Sequence, residues 1–344
     1  MLTLGVESSC DDMAAAVVRD GRDVLSSRVE SQIDLHQPYG GVVPELASRD
    51  HARTVSQVVK AALDEAGVAP PELDGVAVTA GPGLVGSLLV GLSFAKALAY
   101  RLGIPVVGVH HLEGHLASAE LADPSLTPPY IGLVISGGHT ALYRIEADGP
   151  ARLLGETRDD AVGEAFDKVA RVLGLPFPGG PAVSHAAESG DPDAIAFPRP
   201  LAAREGFDFS YSGLKTAVAL EVEKRRAPLA ETEVADIAAS FEAAAIAPLV
   251  SRSRAALRAE GLRRIAVVGG VAANRRLRSE LARVARTEGF EATFPPLDLC
   301  TDNAAMIAAA GATLLKRGEA HGLDLNSFSR VPIGATPWTS SAPD

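Results

Sequence analysis

Three of the chain's eight histidines fall in one short stretch, Val109-His110-His111-Leu112-Glu113-Gly114-His115-Leu116. His111 and His115 are four apart. On a helix such positions share one face, about 6 Å apart along the axis. Two imidazoles so placed can reach one metal ion. The plainer alternative is an exposed histidine cluster, and Gly114 weakens the helix that the spacing assumes. The zinc-peptidase pattern His-Glu-x-x-His sets its glutamate directly after the first histidine. Here Glu113 comes two positions after His111, about 200° around a helix. It points away from a metal held by the pair and is no general base for a metal-bound water.

Two glycine loops offer a second chemistry. Ser136-Gly137-Gly138-His139-Thr140 follows the apolar run Tyr130 to Ile135. Gly269-Gly270 follows the run Arg264 to Val268, with Asn274 opening a helix a few residues on. Glycines after a strand let backbone N–H groups approach phosphate oxygens, and a helix start favours anions. A glycine pair alone more often just turns the chain. Two pairs in matching places favour nucleotide binding. Neither fits the Walker pattern or the dinucleotide fingerprint.

The elements around these residues repeat. In the first half, Leu2 to Glu7 reads as a buried strand and Ser8 to Asp12 as a polar loop. Met13 to Val18 and Val24 to Val29 are strands joined at Asp20-Gly21. Pro44 to Ala66 has helical spacing and stops at Gly67. Val76 to Thr79 is a strand, followed by Gly81-Pro82-Gly83 and a helix through Leu102, then a strand from Pro105 to Val109. In the second half, strands are expected at Tyr130 to Ile135, Ala141 to Ile145 and Arg152 to Glu156, with a turn at Asp148-Gly149-Pro150. Glu233 to Glu260 is a long helix interrupted by Pro248. Arg264 to Val268 is a strand, and a helix runs from about Asn274 to Thr287. Both halves thus run strand, polar loop, strand, turn, strand, helix, strand, glycines, helix. The expectation is a layered α/β fold of two lobes, 1–129 and 130–344. The second carries a central insertion, and its last helix is a candidate to return to the first. A cleft between lobes would bring the two small-residue loops face to face.

Composition sets outer bounds. The chain has 344 residues, 47% of them hydrophobic, which supports a sizeable core and argues against wholesale disorder. A net charge of −11 repels polyanions, so contact with nucleic acid needs a local basic patch or a basic partner. The arginines between Arg252 and Arg278 read mainly as solvated helix faces. Cys10 and Cys300 are the only cysteines, which fits a reducing compartment and gives no disulfide framework. The N-terminus has no signal-peptide core. The apolar stretch Gly83 to Tyr100 is broken by Ser87, Ser93 and Lys96, and reads as a buried helix rather than a membrane span. A soluble cytoplasmic protein with no membrane partner is expected.

Taken together, the motifs resemble one family. They are Gly5-Val6-Glu7-Ser8-Ser9-Cys10-Asp11-Asp12, Gly40-Gly41-Val42-Val43-Pro44-Glu45, Thr79-Ala80-Gly81-Pro82-Gly83-Leu84 and the histidine segment. Ser136 to Thr140, Gly163-Glu164-Ala165-Phe166-Asp167-Lys168 and Phe209 to Thr216 continue the match, as do Gly269 to Arg275 and Cys300-Thr301-Asp302-Asn303. The chain is similar over nearly its whole length to the bacterial tRNA adenosine threonylcarbamoyltransferase family, TsaD, once called glycoprotease. That resemblance implies the two-lobed actin-like ATPase, sugar-kinase and Hsp70-type fold. It implies transfer of a threonylcarbamoyl group from threonylcarbamoyl-AMP to the exocyclic amine of the adenosine 3′ to the anticodon, in tRNAs reading codons that start with A.

The resemblance also implies site residues. The metal is iron(II), with zinc as alternative, held by His111, His115 and Asp302. From the residues alone, Asp302 would cap the following helix; as a ligand it would offset the ion's charge. Val134, Ile135, Ser136, Gly137, Gly138, Asp167, Gly180 and Asn274 match positions that hold the adenylate. From spacing alone, Asp167 reads as a helix-surface acid paired with Lys168 or Arg171. Asp11 matches a position needed for activity. The implied partners are tRNA, a non-catalytic TsaB-type paralogue and a TsaE-type ATPase. Two departures stand out: Val134 replaces a tyrosine metal ligand of archaeal and eukaryotic relatives, and Ser184 replaces an aspartate of some relatives.

Overall fold

The computed structural model describes residues 1–147, 149, 151–201, 206–225 and 228–335. In chain order the elements begin β1 (Leu2–Glu7), β2 (Asp12–Arg19), β3 (Asp23–Ser31), α1 (Ile33–His36) and α2 (Pro44–Ala66). β4 (Gly75–Gly81), α3 (Val85–Leu102), β5 (Val106–His110) and α4 (His111–Ala122) follow. Next are β6 (Tyr130–Ile135), β7 (Thr140–Ile145), β8 (Arg152–Glu156), α5 (Val162–Val172), α6 (Gly179–Ala187), α7 (Ser212–Lys224) and α8 (Glu231–Glu260). The remaining elements are β9 (Arg264–Val268), α9 (Arg275–Glu288), β10 (Glu291–Thr293), α10 (Leu297–Cys300) and α11 (Ala304–Lys316). Asp148 and Pro150, two members of the turn expected between β7 and β8, lie outside the described residues.

The chain forms two compact units, Met1–Pro124 with the stretch from Pro296 on, and Ser125–Pro295. Helices α10 and α11 therefore belong with the first unit. Each unit has one five-stranded sheet, ordered β3-β2-β1-β4-β5 in the first and β8-β7-β6-β9-β10 in the second. In each, the first three strands pair antiparallel, and the other two join in parallel. The duplication expected from the element order is present as an identical strand topology.

Alternation along the strands assigns the two faces of the first sheet. Leu4, Val6, Met13, Ala15, Val17, Val76 and Val78 form one core with Val55, Val58, Val59 and Ala62 of α2 and Leu92, Ala95 and Ala99 of α3. The other face is lined by small residues. Ala14, Ala16 and Val18 pack with Ala304, Ala305 and Ala308 of α11, while Ala77, Val107 and Val109 pack with Met306 and Ile307. The small side chains let α11 lie almost on the backbone of the sheet. At Gly5 a Cβ would stand 2.2 Å from the Ala304 carbonyl oxygen and 2.8 Å from the Ala308 nitrogen.

Helix ends follow their local signals. Pro44 opens α2, where its missing N–H costs nothing, and Gly67 closes it in the left-handed region at φ 64°. Helix α9 starts at Arg275, and Asn274 is its cap rather than its first residue, accepting from the Leu277 N–H at 2.9 Å. Among the described residues, two helices are long and apolar enough to cross a membrane, Val85–Leu102 and Glu231–Glu260. Within the protein, the second is mostly buried, and the first buries Leu88, Leu92, Ala95 and Ala99.

The seating of α11 on β1 makes a test. Gly5→Ala forces a methyl group into α11 backbone that has no flexible end to yield. The expected loss is at or above the usual overpacking cost of about 1–3 kcal/mol, measured by chemical denaturation. An unchanged midpoint would show that α11 is not held at this distance.

Candidate metal centre and glycine-loop site

In the first unit, β5 runs straight into α4, and the junction is a histidine. His110 caps α4: its Nδ1 accepts from the Leu112 N–H at 3.2 Å, and its Nε2 lies 3.1 Å from the Val331 carbonyl oxygen. Those bonds place its one hydrogen on Nε2. Burial pushes its pKa down to about 4, so it stays neutral. His111 and His115 fall on the next two turns, buried, with ring centroids 4.7 Å apart. Gly114 lies between them because α11 passes there; a Cβ would stand 2.7 Å from Ile307 Cδ1. This close crossing brings the start of α11 beside the histidines.

Asp302, two residues ahead of α11, completes the group. Its Oδ1 is 3.2 Å from His115 Nε2 and 3.5 Å from His111 Nε2. The ligand atoms of the three residues lie within 4.8 Å of one another. Ligands about 2.1 Å from one ion, at angles between octahedral and tetrahedral, stand roughly 3.0–3.4 Å apart. Two imidazoles and a carboxylate suit zinc or iron(II). Both ring nitrogens of His115 are buried and make no hydrogen bond, although Nε2 is close to Asp302. A buried polar ring without partners fits a ligand better than a structural side chain. The cap of α11 is Asn303, whose Oδ1 accepts from the Met306 N–H at 3.0 Å. Capping, the plainer role for Asp302, is taken by its neighbour.

Charge around His111 favours a cation. Burial by itself lowers its pKa, but Asp302 and Glu7 raise it further, to about 9. Burial likewise raises Glu7, yet the facing His111 outweighs this and holds the carboxyl below its ordinary range. A divalent ion at Nε2 would supply the positive charge that the proton otherwise carries. Glu113 takes no part. Its Oε1 accepts from the Gly334 N–H at 3.3 Å, as its place on the helix predicts.

The loop from Ser8 to Asp11 stands beside this group, and Asp12 is already the first residue of β2. Asp302 acts electrostatically on both Cys10 and Asp12. Burial lifts the Asp12 carboxyl to about 7, with Asp302, Asp11 and Glu7 adding to it. Asp11 is partly exposed. A buried chain that the sequence reading missed fixes this loop. The Val43 N–H donates to His36 Nδ1, and His36 Nε2 bonds Gln32 Oε1. Gln32 Nε2 donates to His51 Nδ1, and His51 Nε2 donates to the Cys10 carbonyl at 2.9 Å. Gln32 precedes α1, His36 ends it and His51 lies in α2, so no local spacing pointed to the chain.

In the second unit, the expected ligand positions are linked through successive contacts. Gly163, at the start of α5, fits against Ser136 and Gly137; a Cβ would stand 2.5 Å from the Ser136 carbonyl oxygen. One turn on, Asp167 Oδ1 accepts from the Gly179 N–H at 2.8 Å, tying α5 to the start of α6 beside Gly180. Lys168 instead holds Asp160 and Glu164. From α6, Ser184 donates to Glu242 Oε1 at 2.7 Å, and Asn274 Nδ2 donates to Ser184 Oγ and to Glu242 Oε1. Glu242 is a buried carboxylate that the sequence reading did not single out. Val134 and Ile135 are wholly buried inside β6, so their side chains present nothing to a ligand. Gly137 and Gly138 are exposed, with open space where a Cβ would go. Much of the arginine run is paired: Arg254 and Arg258 hold Glu288, and Arg275 holds Glu188.

A repeated sheet of this topology, once per unit, defines the actin-like ATPase class of fold. Among solved structures, the Acidaminococcus fermentans (R)-2-hydroxyglutaryl-CoA dehydratase component A is similar at a TM-score of 0.55, with 14% identity, covering 92% of this chain and 98% of that one. Full-length HypF in its phosphate- and nucleotide-bound form is similar at 0.60, again at 14% identity, over 92% of this chain and 55% of that one. Sequence similarity narrows the class. The family model for TsaD, tRNA N6-adenosine threonylcarbamoyltransferase, matches residues 23–309. A protein of that name from Geotalea uraniireducens (strain Rf4) is 51% identical over 97% of each chain. The chain belongs to the TsaD family, as its motifs implied.

Neighbouring residues at the start of α11 should now separate cleanly. Asp302→Ala is expected to strip the metal measured by atomic emission while leaving the denaturation midpoint, compared between metal-free chains, nearly in place. Asn303→Ala should cost about 1 kcal/mol through the lost cap. Full metal content in Asp302→Ala would remove that residue from the group.

Proposed function

We propose that the protein transfers the threonylcarbamoyl group of threonylcarbamoyl-AMP to the exocyclic amine of the adenosine 3′ to the anticodon, in tRNAs reading codons that start with A. The amine nitrogen bonds to the carbamoyl carbon and gives up a proton to solvent, the bond from that carbon to the adenylate oxygen breaks, and AMP leaves with the bonding electron pair. Membership of the TsaD family over 23–309, with a relative 51% identical along nearly the whole chain, is the observation that carries this reading.

His111, His115 and Asp302 would hold the metal, iron(II) in preference to zinc. A bound ion would act as template and charge stabiliser on the phosphate side of the adenylate. Gly137 and Gly138 offer main-chain N–H groups to the adenylate, Ser136 shapes their loop by donating its own N–H to the His139 carbonyl at 2.8 Å, and Val134 and Ile135 contribute only main chain. Asp167 and Gly180 shape the start of α6, and Asn274 contributes a polar side chain. Asp11 is the loop carboxylate proposed as needed for activity. Binding of tRNA with a chain of net charge −11 favours help from partners, for which a TsaB-type paralogue and a TsaE-type ATPase are proposed. We place the protein in the cytoplasm. A peptidase reading finds less support, because the carboxylate nearest the histidines in sequence, Glu113, is bonded to Gly334.

The deciding assay incubates the protein with tRNA, threonine, bicarbonate, ATP and the other pathway components, then digests the tRNA. The threonylcarbamoylated nucleoside is expected from tRNAs reading codons that start with A. Peptide cleavage with no modified nucleoside would overturn the reading. For the glycine loop, Gly137→Val should fold normally, since space is open there, yet bind AMP at least about tenfold more weakly, because a β-branched side chain bars close backbone approach. Unchanged AMP affinity by calorimetry would count against the loop.

A further inference from the structure

Glu7 is the last residue of β1, and none of it reaches solvent. A charged carboxylate is rarely so placed unless its oxygens are matched. Here they are divided between two tasks. Oε1 accepts from the Ser9 N–H and so shapes the loop that follows. Oε2 accepts from the Thr79 hydroxyl of β4 at 2.6 Å and lies 3.1 Å from His111 Nδ1. Ser9 Oγ stands 3.2 Å from the same nitrogen. His111 thus faces two carboxylates, Glu7 through Nδ1 and Asp302 through Nε2.

We propose that Glu7 is the positioning residue of the metal centre: it holds His111 with its hydrogen on Nδ1, aims Nε2 at the cation, and adds a second negative charge beside that of Asp302. An ionised carboxylate only accepts, so the hydrogen of a neutral His111 belongs on Nδ1 and the lone pair on Nε2. Metal-bound imidazoles are commonly fixed in this way, and the outer carboxylate contributes to affinity. His115 differs, having no hydrogen bond at either ring nitrogen. One ligand is therefore held from behind by a carboxylate, whereas the other has no polar partner behind its ring at Nδ1. Thr79 completes the device by holding the carboxylate from the neighbouring strand.

This inference rests on the proposed metal role of His111, His115 and Asp302, and the test separates the two. Cobalt(II), which reports its ligand field in the visible spectrum, is titrated into the wild-type chain, Glu7→Gln and Thr79→Val. Glutamine has the shape of glutamate but one oxygen, so either Ser9 or His111 faces an amide NH₂. Glu7→Gln is expected to bind cobalt about 10–100-fold more weakly, with shifted visible bands. Thr79→Val keeps both charged groups and should fall between wild type and Glu7→Gln. Cobalt constants and spectra equal to wild type in a folded Glu7→Gln would overturn the inference while leaving the metal reading intact. Should Glu7→Gln fail to fold, Thr79→Val decides by the same criterion. A wild-type chain that takes up no cobalt would overturn both.

Discussion

A carboxylate without solvent is the constraint around which the first unit is built. Glu7 sits where the central strand ends, and its charge must be met from the chain itself. Three elements supply the partners: the turn after β1 through Ser9, the adjacent strand through Thr79, and α4 through His111. The position of the helix that carries the histidines is thus tied to the sheet by an electrostatic requirement as well as by apolar packing. Small residues do the rest. Gly5 and Gly114 let α11 close on β1 and α4, and the start of α11 brings Asp302 to the imidazoles.

The two units show how one topology serves two chemistries. The loop after the first strand is Ser8 to Asp11 in one unit and Ser136 to His139 in the other. The first ends on an acid, Asp11, with Asp12 opening β2, and stands beside the histidine group. The second is glycine-rich and has no acidic residue, and it packs on the start of α5. Strand order is the same, so the difference lies in the side chains carried, by the strands at Glu7 and Thr79 as well as by the loops and the following helices.

Much of this was legible in the sequence because it is local. The buried runs that became β1, β6 and β9, the proline-to-glycine span of α2 and the four-residue histidine spacing each depend on near neighbours. The pairing of Asp302 with residues far earlier in the chain does not. From the sequence alone Asp302 was the expected cap of α11, and only the fold gives the cap to Asn303. The relay from His36 through Gln32 and His51 to Cys10 was hidden for the same reason, since its members belong to different elements. Short β10 escaped notice because three half-exposed residues carry no periodic pattern. Asp167 looked like a surface acid beside a lysine, but the backbone of Gly179, twelve residues on, claims its oxygen.

The first unit is discontinuous, and this has a bearing on how the protein is made. His115 leaves the ribosome about 190 residues before Asp302, an interval of roughly 10–40 s at ordinary rates of synthesis. During that time the whole of Ser125–Pro295 is produced. The sheet face destined for α11 must stay uncovered meanwhile, its alanines waiting for a helix not yet translated. A nascent chain in this state has two imidazoles and lacks the third ligand of the proposed centre. Acquisition of the proposed ion would thereby be deferred until synthesis is nearly complete, and a chain broken off before Pro296 would lack both the covering helix and the carboxylate.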